Sequence, residues 1–134
     1  MTGITDLNTL IASMAPELDS ETFVFASVLH PTAKMYSLAK GMFVEKEGVT
    51  LILQETIAHE LEIKADGPYA CITLNVHSSL EAVGLTAAFA QALSKANISA
   101  NVVAGYYHDH IFVAKRDAQD AMNVLKALSD SAMP

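Results

Sequence analysis

The residues of this sequence able to do chemistry are few: five histidines, a single cysteine and a short serine run. The densest group is Gly105-Tyr106-Tyr107-His108-Asp109-His110. His108 and His110 alternate, so on a strand both imidazoles leave on one face, as some metal sites require. No third ligand is fixed beside them, His77, Cys71 and Asp109 being the possible contributors, and we expect no metal site. His59-Glu60 opens HELEI, which starts like the zinc-protease helix HExxH but lacks its second histidine, and reads as a solvated helix face. Cys71 beside a histidine would make a nucleophile and base. It stands mid-strand in an alternating segment, however, where a small buried thiol is the common case. The sequence holds no Gly-x-Ser-x-Gly elbow, no glycine-rich phosphate loop and no recognisable acid pair. The expectation is a protein that is not an enzyme and carries no cofactor.

What remains is binding. His77, Ser78 and Ser79 lie just before the strongest helical stretch, where backbone N–H groups lack partners and the helix dipole favours a carboxylate. Gly84 would let a ligand or a neighbouring subunit approach the first helical turn, and tight packing of helix on sheet accounts for it equally well. Asp109 in isolation reads as an ordinary turn aspartate. The pair Tyr106-Tyr107 could lid a pocket, but core or interface is the expected place for it.

The elements that position these residues follow from periodicity and turn chemistry. Thr5 can cap a short helix in which Leu7, Leu10, Ile11 and Met14 share a face, with Pro16 as its stop. Residues 22–28, TFVFASV, are apolar on both faces, as in a strand covered on both sides. Residues 30–41 contain Pro31 and no helical periodicity, near the minimum length for a crossover. Residues 41–46 and 49–54 form a hairpin about Glu47-Gly48, and residues 55–63 a short helix. Asp66-Gly67-Pro68 reads as a turn and an internal boundary.

Beyond it, residues 69–76 alternate, with Ala70, Ile72, Leu74 and Val76 on one apolar face. Residues 80–97 are the strongest helix, its stripe formed by Leu85, Ala88, Phe89, Ala92, Leu93 and Ala96, and Asn97 ends it. Strands at 98–104 and 109–114 follow, then a helix capped by Asp117 that buries Ala118, Ala121, Met122, Leu125 and Leu128. The order is strand, connection, strand, strand, helix, and then strand, helix, strand, strand, helix, a weak internal repeat. It implies an α+β fold of two ferredoxin-like βαββαβ units, residues 1–66 and 67–134, with a mainly antiparallel sheet and helices on one face. Neither half has an evident fourth strand, so each must complete the other, residues 22–28 being the candidate to join the second.

Composition removes several classes of partner. With 51% hydrophobic and 17% charged residues, a buried core is affordable and disorder is excluded. Fifteen acids against eight scattered bases give a net charge of -7, a surface that repels phosphate backbones, so no nucleic acid is expected. The lone cysteine and an N-terminus without a charged or apolar leader pattern point to a reducing, cytoplasmic setting. No apolar run reaches the ~20 residues needed to cross a bilayer, so no membrane partner is expected.

Three local patterns resemble the ACT-domain family, in particular the aspartokinase-type repeats and CASTOR-type arginine sensors. They are Val83-Gly84-Leu85 opening the long helix, the step Ala96-Asn97-Ile98-Ser99, and the run Tyr106, Tyr107, Asp109, His110, Val113. The likeness covers residues 78–128, while the first half departs from it because residues 30–41 are short for the usual helix. The resemblance implies tandem ACT-like units forming a non-catalytic regulatory module. Such a module binds an amino acid or similar metabolite between two units and associates as a homodimer. It also implies that Asp109 faces the ligand and pairs with a cationic or amino group, a task that suits a carboxylate. The candidate ligand-binding residues are Asn75, His77, Ser78, Ser79, Val83, Gly84, Leu85, Tyr107 and Asp109. The alternative is an oligomerisation or protein-interaction module with no small-molecule ligand.

Overall fold

A computed structural model describes residues 6–76 and 84–132. The elements in order are α1 (Leu7–Ala12), β1 (Pro16–Val28), α2 (Ala33–Leu38), β2 (Gly41–Val44), β3 (Val49–Gln54) and α3 (Glu55–Glu60). They continue with β4 (Asp66–Leu74), α4 (Leu85–Lys95), β5 (Asn101–Ala104), β6 (Asp109–Ala114) and α5 (Ala118–Ser131). The strands form a six-stranded sheet of order β2-β3-β1-β4-β6-β5. The pairs β1/β3, β2/β3 and β5/β6 are antiparallel. This is the tandem α+β arrangement implied by the order of elements.

Two compact units divide the chain: Ser20–Ala70, and the residues up to Asp19 together with those from Cys71 on. The division falls inside β1 and inside β4, so each of these strands gives part of its length to both units. Read along the sheet order, the first unit is β2-β3-β1-β4 and the second β1-β4-β6-β5. The portion of β1 grouped with the second unit is residues 16–19 and not residues 22–28, which belong to the first, and the portion of β4 grouped with the first is residues 66–70. β1 starts at Pro16, six residues before the predicted strand, because Pro16 opens it instead of merely ending the helix before it.

The unit Ser20–Ala70 is built on Val24, Val49, Leu51, Leu53 and Ala58, with Met35, Ala39, Ile63 and Ala65 packed against them. In the other unit Leu10, Met14, Ile72, Leu74, Phe89, Leu93, Ile111, Phe112 and Leu125 are fully buried or nearly so. There α1 packs against α4 and α5, and Ser129 Oγ donates to the Ala12 carbonyl across 2.9 Å.

Helices α3 and α4 end alike. Glu62 and Asn97 take φ of 56° and 62°. Glu62 N–H then donates to His59 O and Ile63 N–H to Ala58 O, while Asn97 N–H donates to Ser94 O and Ile98 N–H to Leu93 O. This double closure satisfies carbonyls that the last turn leaves open. Asn97 therefore ends α4 as its side chain suggested, and Ile98 is buried beside Leu93.

Several sequence expectations are corrected. A helix, α2, occupies the stretch predicted to have none: Thr32 accepts from Met35 N–H and caps it, so Pro31 stands before the helix and not inside it. Its six residues include none that is buried, which is why no stripe was visible. Asp66-Gly67-Pro68 is the start of β4, not a turn. A Cβ on Gly67 would come within 2.9 Å of Val24 Cγ1, so glycine there serves the close approach of β1. Asp6, not Thr5, is the cap described for α1, its carboxylate accepting from Thr9 N–H at 3.0 Å. Asp117 makes no side-chain cap for α5 because Lys115–Asp117 form a 3₁₀ turn that leads into it. Ala96 is exposed at the end of α4. β5 begins only at Asn101, since residues 98–100 are used in leaving the helix.

If α1 is part of the core, Leu10→Ala should lower unfolding free energy by about 2–5 kcal/mol, the usual cost of emptying a closed site. Urea unfolding followed by circular dichroism checks this, and a loss below about 1 kcal/mol would show α1 to be a loose appendage.

Candidate functional site

The side chains with chemical potential gather where β4 ends and β6 begins. Thr73, near the end of β4, lies with Oγ1 2.9 Å from His110 Nδ1, the second residue of β6. His110 is half-buried and paired in register with Val103 of β5, and Asp109 is half-buried and paired with Ala104. Between them the turn is closed by Gly105 N–H donating to the His108 carbonyl at 2.8 Å. A Cβ on Gly105 would meet that carbonyl oxygen at 2.9 Å and His110 Nε2 at 3.3 Å. Glycine is what lets the turn fold back over the imidazole.

Burial pushes the Asp109 carboxyl above its ordinary range, and the adjacent His110 charge offsets only part of that rise. The carboxylate is thus held partly out of water without full compensation, a state that a cation or N–H donor would relieve.

Asn75 follows Thr73 on the same strand end but is turned to a structural task. Its backbone N–H and side-chain Nδ2 both reach the Ala15 carbonyl, at 3.4 and 3.2 Å, and Nδ2 lies 3.5 Å from Glu17 Oε2. Ala15 has φ of 43°, so Asn75 clamps the tight step from α1 into β1.

Gly84 is the residue before α4, with φ of 100°, and its carbonyl accepts from Ala88 N–H at 2.8 Å. A Cβ there would sit 3.1 Å from Leu7 Cδ2, so Leu7 of α1 packs against this position. Leu85 is buried. His77, Ser78, Ser79 and Val83 lie outside the described residues. Tyr106 and Tyr107 are not core residues: they are 74% and 63% exposed and meet edge to face at 4.9 Å.

The remaining sequence candidates are quieter. His59 and Glu60 are exposed on α3, and Cys71 is fully buried in β4. Among the described residues no three His, Cys, Asp or Glu side chains come together as a metal set. Sequence reasoning missed one concavity, a cleft of about 280 Å³ in the unit Ser20–Ala70, lined by Phe25, Ala26, Ser27, Lys64, Ala65 and Asp66. The Phe25 ring is held edge to face against Tyr69 at 5.4 Å. Lys64 and Asp66 bring opposite charges to its lining, and their i, i+2 spacing at the entry to β4 is the signal that could have found them.

ACT-domain family models match residues 2–70 and 67–127, and the chain belongs to the ACT-domain family, whose members are typically regulatory and ligand-binding. Among solved structures, it is similar to a Vibrio cholerae protein of unknown function described as a possible transport protein. That protein is 46% identical, with 96% of this chain and 99% of that one covered and a TM-score of 0.83. The regulatory subunit of aspartate kinase from Thermus thermophilus shares the fold at 11% identity, covering 87% of this chain and 97% of its own, with a TM-score of 0.65. Escherichia coli aspartokinase III, solved with aspartate and ADP, does so at 13% identity, with 85% of this chain and 33% of that chain covered and a TM-score of 0.63. No curated protein matches the chain.

Two measurements probe the site. Gly84→Ala should cost about 1–3 kcal/mol through its positive φ, and Leu7→Ala in the same chain should recover only the crowding part. Full recovery in the double variant would show that the backbone there is unstrained. For Asp109, a folded-state pKa above the ordinary 3.8 means that its contribution to stability is present below that value and lost as pH rises through the raised one. Asp109→Asn should therefore melt higher than the wild type at neutral pH, with the difference vanishing on acidification. A difference that does not change with pH would contradict the raised carboxyl.

Proposed function

We propose that this protein is a non-catalytic regulatory module of the cytoplasm that binds an amino acid or similar small metabolite and works as a homodimer. The observation that carries the ligand reading is the half-buried Asp109 carboxylate at the start of β6, with burial outweighing the charge beside it. An ammonium or guanidinium group would supply what that carboxylate lacks. The positions Gly84, Leu85, Asn75 and Tyr107, with residues 77–79 and Val83, complete the proposed ligand-binding set. Asn75 and Gly84 shape it through the Ala15 and Leu7 contacts described above. The non-catalytic part of the reading is supported by the chemistry in place. Cys71 is closed to solvent, and His110 is engaged with Thr73. The ACT-domain matches and the fold shared with aspartate kinase regulatory subunits support it from the other side. The cleft at Lys64 and Asp66 is a second place where both ends of an amino acid could be met. The competing reading is an interaction module without a small ligand, favoured by the exposed apolar strand β2.

A thermal-shift panel of the amino acids tests the proposal. A ligand at about 100 times its dissociation constant adds about 2.7 kcal/mol of stability. The shift should be lost in Asp109→Asn and should weaken as pH falls through the Asp109 pKa, because the ionised form binds. A shift that survives Asp109→Asn but disappears in Lys64→Ala moves the ligand to the cleft. A flat panel, with a flat panel of other metabolites, leaves the interaction module as the function.

A further inference from the structure

The cleft of about 280 Å³ is lined only by residues of the unit Ser20–Ala70, whereas Asp109 belongs to the other unit. Packing decides which side chains the cleft receives. Val24 and Val28 of β1 are committed to the core of the unit, and so are Ile63 and Ala65 on the approach to β4. Successive strand residues point to opposite faces, which leaves Phe25 and Ser27 of β1 directed away from that core. Lys64 and Asp66, both exposed, join them in the lining, and Ala26 and Ala65 complete it.

Three kinds of group therefore share one hollow. The Phe25 ring is held edge to face by Tyr69, at an interplanar angle of 77°, and offers a fixed apolar surface. Lys64 brings a positive charge with N–H donors, and Asp66 a negative charge with acceptor oxygens. Among the described residues neither Lys64 nor Asp66 takes part in an ion pair, so both charges are available to a third party.

We propose that this cleft binds an α-amino acid with an uncharged, apolar side chain, its carboxylate on Lys64, its ammonium on Asp66 and its side chain against Phe25. The volume lies just under the range of sites that take drug-sized ligands and suits a molecule of this size. A ligand with only one of the two charges leaves the opposite protein charge without its partner. An acidic side chain fares worse, because Asp66 and Glu62 flank Lys64 in sequence and the chain as a whole carries a net charge of -7. The inference rests on the amino-acid reading above and adds to it a site contained in one unit, with no residue in common with the set around Asp109.

The test is a titration of the full chain with L-leucine, followed by amide chemical shifts and by calorimetry. The shifts should centre on residues 25–27 and 64–66. Lys64→Gln and Asp66→Asn should each weaken binding about tenfold or more, as should replacing leucine by leucinamide or by N-acetyl-leucine, each of which lacks one charge. Both substituted residues are exposed, so circular dichroism melts should match the wild type. Leucinamide or N-acetyl-leucine binding as tightly as leucine overturns the two-charge recognition. Shifts around Asp109 with any amino acid, and none at residues 25–27 and 64–66 with any apolar one, overturn the cleft while the amino-acid reading stands. No shift with any of the twenty amino acids overturns both.

Discussion

A strand edge with unmet backbone groups is the constraint on which this structure depends. Each half supplies only three strands of its own, and a sheet of that kind ends in open N–H and C=O groups. The chain meets this with length. β1 runs for 13 residues and β4 for 9, and the boundary between the compact units cuts through both. Gly67 and Asn75 then read as parts of one device. The glycine lets the start of β4 come close to Val24 of β1, and the asparagine fastens the end of β4 to the turn that begins β1. Neither residue has much to do in a unit that ends where its own strands end.

The same constraint explains the first helix. Once the start of β1 belongs with the second unit, α1 is delivered to α4 and α5, and its Leu7 arrives against Gly84. Gly84 therefore accommodates packing, and the left-handed backbone it adopts sets the direction of α4. The candidate ligand site inherits its rigidity from this arrangement. Asn75 is held by Ala15, His110 by Thr73, and Asp109 by the register of a short hairpin closed at Gly105. A site on fixed strand ends loses little order when a small molecule binds.

Much of this was legible in the sequence, and the reasons differ from place to place. The alternation at 69–76 and the hairpin at 41–54 declared themselves because each carries a local signal, a period of two or a Glu-Gly turn. β6 matched its expected limits, Asp109 to Ala114, because the turn residues before it are unambiguous. The helix α2 was not legible: with no buried residue it has no stripe, and its one strong signal, Thr32, stands beside a proline that argues the other way. Asp66-Gly67-Pro68 misled for the opposite reason. Its composition is that of a turn, but the glycine answers to a neighbouring strand far off in sequence, and no local rule can show that. The candidate site divides along the same line. Asp109 could be singled out from its own neighbours, whereas the tasks of Asn75 and Gly84 depend on Ala15 and Leu7, about sixty and seventy-seven residues away. The cleft at Phe25 and Lys64 is likewise a product of folding, made by two segments that lie well apart in the chain.

The chemistry at Asp109 favours recognition over turnover. A catalytic carboxylate with a raised pKa is useful when it faces a second group that titrates against it in a solvent-free pocket. Here the neighbouring imidazole is tied through Nδ1 to a threonine hydroxyl, and the aromatic residues beside it, Tyr106 and Tyr107, are open to water. Burial disfavours the ionised form of this acid, and the His110 charge beside it offsets only part of that cost. The requirement is selective: a neutral metabolite leaves the cost of burial in place, and an anion adds to it. A ligand bearing an ammonium or guanidinium group removes it. Discrimination of that kind comes from the group left unsatisfied when the wrong ligand binds, so under the proposed function one partly desolvated carboxylate would be enough to set the class of molecule taken.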